Sequence, residues 1–164
     1  MPRLGFALIA VALAGCASVD GRTLQVGKAT EKDVTALMGA PAIEVKRPSG
    51  DTWLYYPHHP WGRVTYVATL DTGGVLRGVE QRLTYDNIHS IRDGMRIEDV
   101  ELLLGPPRKI GYMPLKPWKI AEFPWWFANR EMRVLFVYYT VDDGVVHRVD
   151  EMHDYTDQPE NSRN

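Results

Sequence analysis

The strongest constraint on the fold is a short segment that occurs twice, 66 residues apart. Residues 33–41 read Asp-Val-Thr-Ala-Leu-Met-Gly-Ala-Pro, and residues 99–107 read Asp-Val-Glu-Leu-Leu-Leu-Gly-Pro-Pro. A fixed period with matching glycine and proline positions is typical of the duplication of one supersecondary unit. We therefore predict two copies of one unit, at residues 26–85 and 86–156.

Each copy of the segment predicts a short helix. Apolar residues recur with the i, i+3, i+4 spacing of one helix face in both copies: Val34, Leu37 and Met38, then Val100, Leu103 and Leu104. Thr30 is the expected N-cap of the first helix, with Asp33 as its capping-box acid, whereas Arg96 stands at the same place in the second copy.

The ends of both helices are predicted by glycine and proline. Gly39 and Gly105 stand where a helix requires a left-handed residue, and Pro41 and Pro107 prevent the helix from continuing.

Strand-like runs follow each helix and are separated by turn signals. In each copy the last two runs flank an Asp-Gly turn, at residues 71–74 and 142–144. The predicted strands are 52–56, 63–70 and 75–83 in the first copy, and 125–127, 133–140 and 145–152 in the second. The predicted fold class is therefore α+β, with two tandem repeats, each a short helix followed by a three-stranded antiparallel β-meander.

The first residues predict the cellular compartment. An apolar run at residues 4–14 follows Arg3 and is too short to span a bilayer, but it fits the core of a secretory signal peptide. Leu13-Ala14-Gly15-Cys16 then resembles the lipobox of bacterial lipoproteins, whose cysteine is acylated. We expect a signal peptide at 1–15, lipid attachment at Cys16, an acylated linker at 16–25 and a flexible tail at 157–164. Ala17 after the cysteine resembles the sorting signal for the outer membrane.

The charge pattern excludes one class of partner. Lys and Arg number 19 and Asp and Glu number 21, with no basic tract or patch. Nucleic acid is therefore not an expected partner. The expected contact with a membrane is the N-terminal lipid anchor.

The repeated motif resembles a known family. Gly94, Met95, Asp99, Gly105 and Pro107, followed by aromatic strands and an Asp-Gly hairpin, resemble the SmpA/OmlA (BamE-like) domain of outer-membrane lipoproteins. The resemblance implies a periplasm-facing scaffold or accessory in outer-membrane protein assembly or envelope integrity, with β-barrel assembly proteins as possible partners. Tandem copies also resemble the architecture of a β-lactamase inhibitor protein, which leaves an inhibitor-like or small-ligand binding module as the alternative.

The sequence offers no recognisable catalytic set. His58 and His59 are adjacent, so on an extended segment they point to opposite faces and lack further ligands at zinc-like spacing. We therefore expect no enzymatic activity, no cofactor and no metal.

An aromatic, proline-rich segment at residues 107–124 distinguishes the second copy. It is predicted to be an irregular insertion, and its long loop is a candidate partner surface. Trp118, Phe123 and Tyr112 are the candidate interface residues. Trp125 and Phe127 are predicted to belong to the core, as counterparts of Trp53 and Tyr55.

Overall fold

The structure is a computed structural model, and it describes residues 20–58 and 62–154. Cys16, the predicted signal peptide, His59 and the tail at 157–164 lie outside the described residues. Part of the predicted linker is described: Leu24 packs against the first hydrophobic core, so the folded region begins before residue 26. No helix among the described residues is long and apolar enough to cross a membrane.

The described chain contains a helix followed by four strands, then a helical turn, and then a second helix followed by four strands. In chain order these are α1 (Glu31–Met38), β1 (Ile43–Lys46), β2 (Thr52–Pro57), β3 (Thr65–Leu70), β4 (Leu76–Gln81), α2 (Tyr85–Ile88), α3 (Ile97–Leu104), β5 (Lys109–Tyr112), β6 (Trp118–Trp126), β7 (Met132–Thr140) and β8 (Val146–His153).

The strands form two antiparallel sheets of four, ordered β1-β2-β3-β4 and β5-β6-β7-β8. The α+β class is confirmed, but the three-stranded meander is corrected, because each sheet has a fourth strand directly after its helix. The extra strands, β1 and β5, lie in segments predicted to be connections. Each has only four residues, and a run that short carries little periodic signal.

The insertion predicted at residues 107–124 is also corrected. The helices, β1 and β5, and the starts of β2 and β6 all keep the offset of 66 residues. The offset grows only afterwards, because β6 runs for nine residues where β2 has six. Pro124 fits inside β6 because β5 pairs only with residues 119–122, so β6 has no neighbour on that side at Pro124.

Both helices end at a glycine whose conformation is nearly the same. Gly39 has φ 88° and ψ −172°, and Gly105 has φ 88° and ψ −174°. The predicted positive φ is confirmed, but the extended ψ corrects the left-handed helical conformation to a region that is essentially restricted to glycine. Each glycine N–H still donates to the carbonyl four residues earlier, on Thr35 and Glu101.

The two helix starts differ as the sequence predicts. Asp33 accepts hydrogen bonds from the Thr30 backbone N–H at 2.8 Å and from its hydroxyl at 2.7 Å. Arg96 makes no side-chain cap at the start of α3. Because these hydrogen bonds favour the charged carboxylate, the pKa of Asp33 is lowered.

The two cores differ in how their helices are used. Helix α1 buries only Val34 against the first sheet, whereas α3 buries Ile97, Val100 and Leu104. The reverse side of α3 meets the first sheet, where the Tyr55 hydroxyl donates to the Leu102 carbonyl at 2.7 Å. Burial raises the pKa of Tyr55 to about 12, so the donating phenol stays protonated.

A buried ion-pair network also joins the two halves. Asp154 follows β8, and its Oδ2 lies 2.9 Å from Arg63 Nη2 and 3.0 Å from Arg108 Nη1. Arg108 also reaches Glu122 at 3.2 Å. Arg63 precedes β3 of the first sheet, so this network fixes the end of the second unit to the first unit.

Candidate functional site

The segment predicted to be the interface is a tight hairpin between β5 and β6. The Met113 N–H donates to the Trp118 carbonyl at 3.0 Å, and the Lys116 N–H donates to the Met113 carbonyl at 3.3 Å. This places Pro114 at the second position of a β-turn, where its fixed φ is favoured. The prolines that indicated irregular structure therefore stabilise a turn of regular structure.

The three candidate interface residues do not share one surface. Phe123 is fully buried in the second core, so its assignment to the interface is corrected. Trp118 is partly exposed, and Tyr112 is exposed beside the turn. The separation follows from β6 itself: Phe123 and Trp118 are five residues apart, and residues an odd number apart on a strand point to opposite faces.

The aromatic residues predicted to be core are placed with the second core. Trp125 is buried and Phe127 packs against the same core from a half-buried position. The predicted correspondence with Trp53 is corrected, because Trp53 pairs with Thr69 whereas Trp125 pairs with Arg133, further along its hairpin.

Trp118 forms one wall of an open groove of about 650 Å³. Its ring stacks on His147, with centroids 5.8 Å apart and planes 14° apart. We call this the Trp118 groove. Its lining residues are Ile91, Arg92, Asp93, Lys116, Trp118, His147, Arg148 and Val149.

Basic groups dominate the polar lining of the Trp118 groove. Lys116 Nζ lies 4.1 Å from the centroid of the Trp118 ring, within cation–π distance. Arg92 and Arg148 add two more positive charges, although Arg148 is paired with Asp150 at 2.6 Å. Asp93 is the one acidic residue in the lining. The groove thus presents a flat aromatic surface beside cationic side chains, which suits an acidic or aromatic group of a partner.

Two other carboxylates with lowered pKa hold turns in place. Asp71 Oδ1 accepts from the backbone N–H groups of Val75 and Gly73, both at 2.9 Å, and these bonds lower the pKa of Asp71. Asp143 accepts from the Thr140 hydroxyl and the Val145 N–H, which lowers the pKa of Asp143 in the same way. Their pKa shifts therefore have structural causes outside the groove.

A smaller groove of about 370 Å³ lies between β1 and α3. Ile43 and Val45 line it from the sheet, and Glu98 and Glu101 line it from the helix. Burial, and secondarily the charge of Glu98, raises the pKa of Glu101.

The histidines are dispersed. His58 contacts the Tyr66 ring edge-on, with centroids 5.9 Å apart, and His89 stacks on Tyr85 at 4.0 Å. Within residues 20–58 and 62–154, no three His, Cys, Asp or Glu side chains are grouped so that they could hold a metal ion.

Sequence reasoning missed the residues that complete the Trp118 groove. Arg92 precedes α3, Lys116 lies in the β5–β6 turn, and His147 and Arg148 lie on β8. The aromatic segment identified Trp118 but carried no signal for these distant neighbours, because their proximity depends on how β8 and the chain before α3 meet at one end of the second sheet.

The chain matches no protein-family model and no curated protein. Among solved structures it is similar to the crystal structure of a DUF4309 family protein (YjgB) from Bacillus subtilis. The two chains are 16% identical, the match covers 81% of this chain and 84% of that chain, and the TM-score is 0.31. A likeness of this degree supports no conclusion about fold or function.

Proposed function

We propose that this protein is a non-catalytic lipoprotein of the bacterial outer membrane, anchored through Cys16, facing the periplasm and binding a partner at the Trp118 groove. The anchor rests on the short apolar run that ends in Leu-Ala-Gly-Cys. One acyl chain holds a protein only weakly, so the several chains of a mature lipoprotein are what make such an anchor stable.

The observation that carries the binding role is the arrangement around Trp118. A partly exposed tryptophan, stacked on His147 and flanked by Lys116, is costly to leave in water unless the surface has a use. Tryptophan and arginine are also the residues most enriched among interface hot spots. The carboxylates with lowered pKa lie at a helix cap and two turns instead, which supports a binding role over acid–base chemistry at the groove.

The biological role is proposed from the family resemblance. The resemblance to the SmpA/OmlA domain favours a scaffold or accessory role in outer-membrane protein assembly or envelope integrity, with β-barrel assembly proteins as partners. Duplication of one unit is part of this proposal. It is supported by the repeated order of one helix and four strands, by the matching angles of Gly39 and Gly105, and by equivalent isolated bridges, Thr30 to Val75 and Arg96 to Val145.

The alternative is an inhibitor-like or small-ligand binding module. Its support is the volume of the Trp118 groove, about 650 Å³, which falls in the range of roughly 300–1,000 Å³ that small-molecule sites occupy. The two proposals differ in what the groove should retain: a protein of the assembly machinery, or a small molecule or soluble enzyme.

Recovery of partners from detergent-solubilised membranes tests the main proposal. Trp118→Ala is expected to reduce recovery of a β-barrel assembly subunit about tenfold or more, because a hot-spot residue contributes roughly 2 kcal/mol or more to binding. The same variant should keep its melting temperature within about 2 °C of the wild type, as expected for a partly exposed side chain outside the core.

Trp126→Ala is the matched control, because Trp126 lies on the same strand, is 41% exposed and does not line the groove. It should leave recovery unchanged. Equal recovery with Trp118→Ala and wild type would contradict the proposal. Recovery of one soluble enzyme in place of an assembly subunit would favour the inhibitor-like alternative.

A further inference from the structure

The two halves contain the same hairpin turn with different residues at its tip. In the β1–β2 turn the Gly50 N–H donates to the Arg47 carbonyl at 2.8 Å, which places Pro48 and Ser49 in the middle. Residues 113–116 occupy the same positions at the offset of 66, with Pro114 and Leu115 in the middle. The first unit thus serves as an internal reference for the second.

The β1–β2 tip is polar and satisfied within the protein. The Ser49 hydroxyl donates to Asp51 at 3.1 Å, and Asp51 also lies 3.7 Å from Arg77. This is the composition that a hairpin turn in water ordinarily has.

The β5–β6 tip is apolar and exposed. Leu115 is 97% exposed and Tyr112 is 70% exposed. Val141, in the turn between β7 and β8, is 45% exposed, and its N–H donates to the Pro117 carbonyl at 3.0 Å, which joins the two turns. We call Tyr112, Leu115 and Val141 the tip patch. A leucine at the very end of a hairpin contributes nothing to the core, so folding does not account for it.

Positive charges surround the tip patch. Lys119 Nζ lies 5.5 Å from the Tyr112 ring centroid, and Lys116 Nζ lies 4.1 Å from the Trp118 ring centroid. The neighbouring acidic groups are Asp142 and Asp143, and Asp143 is directed into its own turn by hydrogen bonds from Thr140 and Val145. The combination of a projecting leucine, ring side chains and lysines matches the surface of an anionic bilayer, where apolar groups enter the interface and lysines meet phosphate.

We propose that the tip patch docks on an anionic phospholipid surface and forms a second membrane contact besides the lipid anchor. This inference rests on the proposed lipid anchor, because one hairpin tip is too small to hold the protein on a membrane by itself. Docking at both points fixes the orientation of the domain and keeps the adjacent Trp118 groove close to the membrane surface.

Site-specific fluorescence quenching tests this proposal on the full chain. Cys16 is the one cysteine in the sequence and is blocked if acylated, so Leu115→Cys introduces a single thiol for an environment-sensitive fluorophore. Ser49→Cys places the same fluorophore on the equivalent turn of the first unit. The proteins are extracted from membranes and reconstituted into vesicles of phosphatidylethanolamine and phosphatidylglycerol that contain a nitroxide-labelled lipid.

We expect quenching at position 115 to exceed quenching at position 49 several-fold. Lys116→Ala combined with Lys119→Ala, or replacement of the phosphatidylglycerol by phosphatidylcholine, should reduce quenching at 115 towards the value at 49. Asp142→Asn should increase it. Equal, weak quenching at both positions in protein that floats with the vesicles would overturn docking while leaving the anchor intact.

The anchor is tested separately in the same preparation. Wild-type protein should take up no fluorophore, because its one thiol is acylated. Labelling of wild type together with strong quenching at 115 would overturn the anchor and support docking. Protein that does not float with the vesicles would overturn both.

Discussion

Gly39 and Gly105 share one backbone conformation but have different surroundings, so they separate two effects of a side chain. Both have φ 88°, which is strained for any residue with a Cβ. A Cβ at Gly39 would meet no atom within 4 Å, whereas a Cβ at Gly105 would lie 2.6 Å from Thr65 Cγ2 and 3.3 Å from Tyr55 Cδ1. Gly105 is the point where α3 comes closest to the first sheet.

The expected result is that Gly105→Ala destabilises the fold more than Gly39→Ala. Gly39→Ala should cost about 1–2 kcal/mol of unfolding free energy from backbone strain alone. Gly105→Ala should add about 1–3 kcal/mol of overpacking. Denaturant unfolding of both variants measures the difference, and the double variant Gly105→Ala, Thr65→Ser should recover part of it because serine lacks the clashing methyl group. Equal losses in the two single variants would mean that α3 does not pack this closely on the first sheet.

The residue scale also shows what the sequence could and could not predict about the site. Positive φ at both glycines followed from their place between an apolar helix face and a proline. The separation of Trp118 from Phe123 did not, because alternation assigns residues to faces only after the limits of the strand are known. With β6 taken to begin at residue 125, both residues were predicted to lie in a loop, where alternation does not apply.

At the scale of elements, the two helices differ in their N-terminal caps and offer a matched pair. Asp33 accepts two hydrogen bonds from Thr30, whereas Asp99 occupies the same position in α3 behind Arg96, which makes no side-chain cap. Both acids lie in the first helical turn, so both interact alike with the helix dipole.

We expect Asp33→Ala to cost about 1 kcal/mol of unfolding free energy, as the loss of a cap usually does, and Asp99→Ala to cost about half of that or less. The pH dependence should follow the same order. The pKa of Asp33 in the folded protein is below its ordinary value of 3.8, so the unfolded chain binds this proton more readily. Its contribution is therefore complete above the ordinary value and is lost as pH falls through the lowered one.

Thermal melts of both variants and the wild type between neutral and strongly acidic pH test this expectation. The difference between wild type and Asp33→Ala should shrink on acidification, while the difference for Asp99→Ala should change less. A difference for Asp33→Ala that grows as pH falls would contradict the assigned capping role.

The elements also show why the sheets were predicted with three strands. The longer strands have aromatic or β-branched residues and strong turn signals at their ends, and the sequence marks them well. β1 and β5 have four mostly exposed residues each, so burial leaves almost no imprint on their sequences. The equal offset of 66 residues at the β1–β2 and β5–β6 turns was the signal that could have found them. The prolines of the second turn obscured it.

At the scale of the whole molecule, the buried network of Asp154 joins the two units. The side chains of Asp154 and Arg63 are 1% and 3% exposed, and Arg108 approaches the same carboxylate oxygen. The sequence gave no indication of this network, because its members are separated by up to 91 residues and none belongs to a repeated motif.

Asp154→Ala should cost about 3–5 kcal/mol of unfolding free energy, because it leaves two arginines without their shared carboxylate in a buried place. Glu122→Ala removes a half-buried carboxylate that contacts only the outer arginine, and it should cost clearly less. Calorimetry measures both variants. If Asp154→Ala melts like the wild type, the network does not hold the two units together.

The central claim is that this is a lipid-anchored protein of the bacterial envelope, and lipid attachment at Cys16 tests it most directly. Cells that express the wild type or Cys16→Ala are labelled with radioactive palmitate, and the protein is then isolated and counted. The account predicts label in the wild type and none in Cys16→Ala, which should also lose its membrane association. Equal label in the two proteins, or no label in the wild type, would contradict the account.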